Sequence, residues 1–273
     1  MPPFIEAEVM CAPLLAMDEP PAYGVVNPDG ASPYVLLCEH ASPRIPVALG
    51  DLGLSQAERM RHIGWDIGAQ ALALGLSATL DAPLFVANYS RLVVDCNRPP
   101  GNPSMIPEVS ESTTVPGNLA LGKAARKARL DALFHPYHGA IARRLDARQA
   151  AGKPTLVVGV HSFTPIYKGQ SRPWHAGILF DAAQGFGTAI LAQLARDQAL
   201  VVAANEPYRI DADDYTVPIH GDARGLPAVL LEIRHDLIGD MSGVGEWTRR
   251  LTGALRVAEG HACVGAMSVR AAQ

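Results

Sequence analysis

The sequence has no C-x-x-C pair: its four cysteines, Cys11, Cys38, Cys96 and Cys263, lie far apart. That spacing argues against a disulfide framework or a cysteine-rich zinc site. Cys38 and Cys96 stand in or beside apolar runs and read as small core residues. No Lys/Arg cluster is dense enough to neutralise a run of phosphates, and the formal net charge is −4, so nucleic acid is not expected as a partner. The longest apolar runs, such as 154–160 and 228–231, fall far short of the roughly 20 residues that cross a bilayer. The first residues carry acids early and no basic stretch, so no secretory signal is expected and the protein reads as cytoplasmic. H-E-x-x-H is absent.

What is present suits one large globular core. With 48% hydrophobic and 18% charged residues in 273, the chain can bury a substantial interior. It reads as a single domain over 1–273 whose first 30 residues, rich in Pro, Ala and Asp, form an extended lead-in. Tyr34–Cys38, Leu84–Ala87, 92–95, 155–160, 178–180, 200–203 and 228–231 read as strands. A capping box at Ser55 and Glu58 opens a helical stretch to about Leu80, with a break near Gly64 and a second start near Asp66. Further helices are expected over 119–151, kinked at Pro136, over 189–196, and over 243–258, docked through Trp247, Leu251 and Leu255. Two segments, 99–117 and 205–226, are too long and irregular to be simple connections. Strands alternating with helices imply an α/β fold with a mixed, mostly parallel sheet covered on both faces.

Three of the strands deliver ionisable groups to one edge. The first leads into Glu39-His40, another into His161, and a late one into Glu232; ligands of open α/β sheets bind outside the carboxyl ends of strands. Two imidazoles and a carboxylate hold a catalytic zinc at three points and leave the fourth to water. A further glutamate then serves as general base toward a water whose pKa the ion lowers to roughly 7. Around 91–98, Arg91, Asn97 and Arg98 supply guanidinium forks and an amide that can clamp a carboxylate. The plainer alternative is that both arginines pair with Asp95 and neighbouring acids.

Taken together, Val35-Leu-Leu-Cys-Glu-His-Ala-Ser42, Gly64-Trp-Asp-Ile-Gly68, Tyr89-Ser-Arg-Leu-Val-Val-Asp-Cys-Asn-Arg-Pro99, Val160-His-Ser-Phe-Thr-Pro165 and Leu231-Glu-Ile-Arg234 resemble the N-formylglutamate amidohydrolase family, in family order. That family is similar to the zinc carboxypeptidases and aspartoacylases. The resemblance implies a three-layer α/β/α sandwich of the phosphorylase/hydrolase-like kind and one divalent ion, zinc, on His40 and His161. It implies Glu232 as general base and Arg91, Asn97 and Arg98 as the groups that hold a small N-acyl amino acid and polarise its carbonyl.

The third ligand is less directly implied. In the peptidase relatives it follows the first histidine closely, but Ala41-Ser-Pro-Arg44 supplies no acid. Asp66 is the first choice and Glu39 the second, with a helix N-cap as the alternative role for Asp66. His220, near Asp214-Tyr215-Thr216, is expected at the substrate. The implied reaction is hydrolysis of an N-formyl or other short N-acyl amino acid. Two other readings stay open on the same residues: a carboxypeptidase-like or cell-wall peptide amidase, and a binding protein that captures a carboxylate without chemistry. Oligomeric state has no signal in the sequence.

Overall fold

Strands that are apolar throughout have no face to give to water, so they assemble where a sheet is covered on both sides. In the computed structural model, which describes residues 13–270, the side chains of 263–270 aside, seven strands form one sheet, and the five inside its two edge strands are buried over nearly all their length. The seven are β1 (Tyr23–Val26), β2 (Tyr34–Cys38), β3 (Leu84–Ala87), β4 (Leu156–Phe163), β5 (Ala176–Leu179), β6 (Val202–Ala204) and β7 (Ala228–Arg234), in the spatial order β1-β3-β2-β4-β7-β5-β6. The central four, β3, β2, β4 and β7, are mutually parallel. β1 is antiparallel at one edge, and at the other β5 runs antiparallel to β7 and carries β6 parallel to itself. The sheet is mixed and mostly parallel, as the sequence implies.

Alternation along β2 separates two cores. Leu36 and Cys38 pack with α1 (Ala69–Leu80), α3 (Gln184–Leu194) and α4 (Met241–Arg270), among them Leu72, Ile190, Trp247, Leu251 and Leu255. Val35 and Leu37 face the other way, toward Tyr137, Ile141 and Leu145 of α2 (His135–Ala150) and the long 88–121 connection. The docking of α4 is tied by the Tyr34 hydroxyl, which donates to the Leu255 carbonyl at 2.6 Å. Cys38 and Cys96 are buried free thiols. Cys11, the lead-in before residue 13 and the Cys263 side chain lie outside the described residues. Among the described residues no helix is long and apolar enough to cross a membrane.

Four local expectations are corrected. Residues 92–95 form a turn and coil instead of a strand: Val93 N–H donates to the Ser90 carbonyl at 2.9 Å and Asp95 N–H to the Met105 carbonyl at 2.7 Å. Local partners satisfy that backbone, so apolar burial there needs no ladder. Within the lead-in, 23–26 is a strand, because it covers the open edge of β3. The kink at Pro136 is a π turn over Leu130–Phe134, which leaves the proline in the first turn of α2 where its missing N–H is harmless. Finally, β4 and β7 run past His161 and Glu232, so both stand inside strands.

Candidate metal centre and its cavity

Sheet register brings the chemistry together. Glu232 is the cross-strand partner of His161, and on the other side of β4 the chain leaving β2 presents Glu39 and His40. Side chains opposed across adjacent strands stand on the same face, here the one covered by α2. Asp66 arrives from the connection between β2 and α1. That connection is pinned by Asp66 N–H to the His40 carbonyl at 2.8 Å and by the Ser162 hydroxyl to the Ile67 carbonyl at 2.8 Å. The N-cap of α1 is Gly68, at φ +80°, where a Cβ would meet the Ile238 carbonyl oxygen at 2.3 Å. Only glycine fits that turn, and Asp66 is thereby relieved of capping.

The side chain of Asp66 points between the histidines instead. Its Oδ2 lies 3.3 Å from His40 Nδ1 and 2.9 Å from His161 Nδ1, and one ligand atom from each of the three falls within 4.8 Å of the others. The outer ring nitrogens are held by other acids: His40 Nε2 to Asp95 Oδ1 at 2.7 Å and His161 Nε2 to Glu39 Oε2 at 2.8 Å. A neutral imidazole has one N–H and one lone pair. With each Nε2–H given to its carboxylate, both Nδ1 lone pairs face the same Asp66 oxygen, three acceptors around one point. A cation is the group that satisfies such a set, and outer carboxylates behind ligating histidines are the usual support for one. The residues therefore fit a divalent ion.

The charge balance points the same way. Glu39, Asp66, Asp95 and Glu232 are all buried, and among the described residues the one guanidinium paired with any of them is Arg91, with Asp66 at 3.3 Å and Asp95 at 2.7 Å. Burial pushes the Glu39 carboxyl up, but His161 outweighs it and holds the group down at about 2. Burial likewise favours neutral imidazoles, yet the flanking carboxylates hold His161 well above its ordinary value. Glu232 differs: burial dominates and raises it to about 7, and its Oε2 has no partner. A carboxyl poised near neutrality beside the cluster suits proton transfer.

Among the expected substrate groups, the structure brings Arg91 to the centre and divides the rest. Arg91 does pair with Asp95, but inside the site and not at the surface. Asn97 is buried and its side chain is spent on the chain: Oδ1 accepts from Tyr215 N–H at 3.2 Å and Thr216 N–H at 2.9 Å, and Nδ2 donates to Asp214 at 3.0 Å. Arg98 reaches Asp214 at 3.0 Å and the Asp213 carbonyl at 2.9 Å. His220 is not on the cavity wall; it is buried beneath, its Nε2 2.9 Å from His138 Nδ1. Its helix, Thr216–His220, turns that ring toward α2.

Above the centre opens a cavity of about 390 Å³, lined by His40, Asp66, Arg91, His161 and Glu232, by Asn97 and Arg98, and by Glu111, Tyr167, Tyr208 and Arg209. The last four carry no signal that singles them out in the sequence. Glu111, Tyr208 and Arg209 belong to the irregular segments, whose length alone points to function, and Tyr167 to the short hairpin after β4, where it pairs with Gln170. Asp95 and Glu39 acquire a definite place as the acids behind the two histidines.

A sequence model described as N-formylglutamate amidohydrolase matches residues 32–239. A curated N-formylglutamate deformylase from Pseudomonas putida is 27% identical over 143 residues, 49% of this chain and 52% of the relative, so the match spans about half that protein's length. Among solved structures, a gene product of Agrobacterium tumefaciens is 40% identical, with a TM-score of 0.87 over 90% of this chain and 97% of that one. The N-formylglutamate amidohydrolase of Ralstonia eutropha JMP134 shares the fold at 21% identity, with a TM-score of 0.64 over 88% of this chain and 98% of that one.

Proposed function

The chain belongs to the N-formylglutamate amidohydrolase family, and from that premise we propose that it hydrolyses the amide bond of an N-formyl or other short N-acyl amino acid. His40, Asp66 and His161 hold one divalent ion, zinc by the donor set of two imidazoles and a carboxylate. The observation that carries the reading is the convergence of both Nδ1 atoms on Asp66 Oδ2, with Asp95 and Glu39 behind the rings. Glu39 is thereby a holder of His161, and Asp66 the carboxylate ligand. When bound, the ion supplies Lewis acidity, which acidifies water and polarises a carbonyl.

The protein's own groups do the rest. Glu232, held near pKa 7 by burial, takes a proton from the attacking water and passes it to the leaving amine. Arg91 makes three hydrogen bonds to Asp66 and Asp95; a guanidinium carries five donors, so two remain for the oxygen on which charge develops. Asp95 fixes both Arg91 and His40 in place.

The test is a hydrolysis screen of formyl- and acetyl-amino acids against dipeptides, with and without chelator. Chelator-sensitive release of the amino acid is the expected result. Preference for dipeptides would transfer the site to peptide hydrolysis, and a metal-loaded protein inert toward the whole panel would make it a binding protein.

A further inference from the structure

Three guanidiniums line the cavity, and two of them are already neutralised by the protein. Arg91 is shared between Asp66 and Asp95, and Arg98 is paired with Asp214. The third, Arg209, is exposed, lines the cavity, and has no hydrogen bond or ion pair with any described residue. In a cavity whose walls are otherwise rich in carboxylates, it is the one of these three guanidiniums with no acid partner and all its donors available among the described residues.

Its loop is built to hold it there. At the entry, Gly177 of β5 has no room for a side chain, since a Cβ would meet the Glu206 carbonyl oxygen at 1.6 Å; the segment therefore crosses the sheet in direct contact. Asn205 ties the same point twice, by N–H to the Ile178 carbonyl at 3.0 Å and by Oδ1 from Phe180 N–H at 3.0 Å. At the exit, Asn97 and Arg98 fasten Asp213 to Thr216 as described above. Between these anchors, Tyr208 accepts from Arg172 at 2.8 Å. With the loop backbone anchored on both flanks, ordering on binding is confined mainly to the Arg209 side chain.

We infer that Arg209 receives the carboxylate of the substrate, a role the resemblance gives to the Asn97-Arg98 pair, whose Oδ1, Nδ2 and Nη1 atoms are engaged in holding the loop. The inference deepens the amidohydrolase reading and rests on it for the identity of the ligand, an N-acyl amino acid with a free carboxylate. A guanidinium fork facing a carboxylate gives two charge-assisted hydrogen bonds, whereas a neutral amide in the same place gives weaker ones.

The experiment compares N-formyl-L-glutamate with the uncharged N-formyl-L-glutamine amide. Arg209→Gln should raise KM for the charged ligand roughly 10- to 100-fold, the equivalent of one lost charged hydrogen-bonding pair. It should leave kcat within a few-fold and the uncharged ligand unaffected; Arg209→Lys should recover part of the loss. Arg196→Gln, on the exposed Gln193 contact, controls for net charge. Calorimetric binding of both ligands to Glu232→Gln and to Glu232→Gln/Arg209→Gln repeats the comparison without turnover. Discrimination that survives Arg209→Gln in either arm overturns the inference. A wild-type protein that binds N-formyl-L-glutamate through Arg209 but hydrolyses neither ligand would instead refute the amidohydrolase reading and leave the carboxylate site standing.

Discussion

His40 and His161 meet edge to face with ring centroids 4.8 Å apart, and His138 and His220 stack with centroids 5.2 Å apart, yet their surroundings push the two buried pairs in opposite directions, the first toward positive charge, which a bound cation would supply, and the second away from it. Burial pushes all four imidazoles toward the neutral form. Around the first pair Asp66, Asp95 and Glu39 reverse that push and raise both rings. Around the second no carboxylate of the described residues is bonded: His138 Nε2 donates to the Cys96 carbonyl at 2.8 Å and its Nδ1 accepts from His220 Nε2. Burial then prevails, and the two titrate down at about 4 and about 3. The partners, and not the depth, decide which histidines can serve a cation and which serve packing.

The sharpest way to press this contrast is at Glu232, the buried acid beside the first pair that is itself free of partners. Glu232→Gln keeps the shape and removes the proton acceptor, so turnover should fall roughly 10²- to 10⁴-fold while metal content stays near that of the wild type. Steady-state kinetics beside elemental analysis reads both quantities. Retained activity would mean that proton transfer belongs to another group.

A smaller effect is expected at the second pair. His220→Leu leaves His138 Nδ1 buried without its donor, a loss of about 1–3 kcal/mol at neutral pH, with metal content and KM unchanged. The pH dependence has a definite sign. Unfolded histidines titrate near 6.5 and these two titrate lower when folded, so the unfolded chain binds more protons between. Their contribution to stability is full above pH 6.5 and is lost as pH falls through about 4. Urea unfolding across that window should show a shallower acid slope for His220→Leu than for the wild type. Equal slopes would break the assignment of the pair as neutral.

Much of this architecture is legible in the sequence alone. Tyr34–Cys38 and Leu84–Ala87 are continuous apolar runs flanked by Pro-bearing segments, and both form strands over those bounds. Residues 92–95 have the same texture and are buried too, but the Ser90 turn and the Met105 carbonyl take their N–H groups; apolar burial alone does not distinguish a ladder from a packed loop. At the centre, His40, His161 and Glu232 are readable because strand ends converge in such sheets. The preference for Asp66 over Glu39 is readable only as a ranking, because what separates them is the left-handed turn at Gly68 and the face Glu39 takes beside His161. His220 escapes for the same reason: nothing in the sequence distinguishes a ring turned toward α2 from one turned toward the cavity. Arg209 carries no motif, and its place follows from contacts at Gly177, Asn97 and Arg98 that are remote in sequence.

The central claim, that Asp66 joins His40 and His161 on one ion while Glu39 only supports His161, is tested most directly by metal stoichiometry. Elemental analysis of freshly purified wild-type, Asp66→Asn and Glu39→Gln proteins, followed by titration of the metal-free forms with zinc, reads it without reference to substrate. The account predicts about one ion per chain in the wild type, loss of the bound ion in Asp66→Asn, and retention in Glu39→Gln with affinity weakened roughly 10- to 100-fold, as for other outer partners of ligating histidines. A wild type that takes up no divalent ion, or an Asp66→Asn protein that binds one as tightly as the wild type, would contradict it.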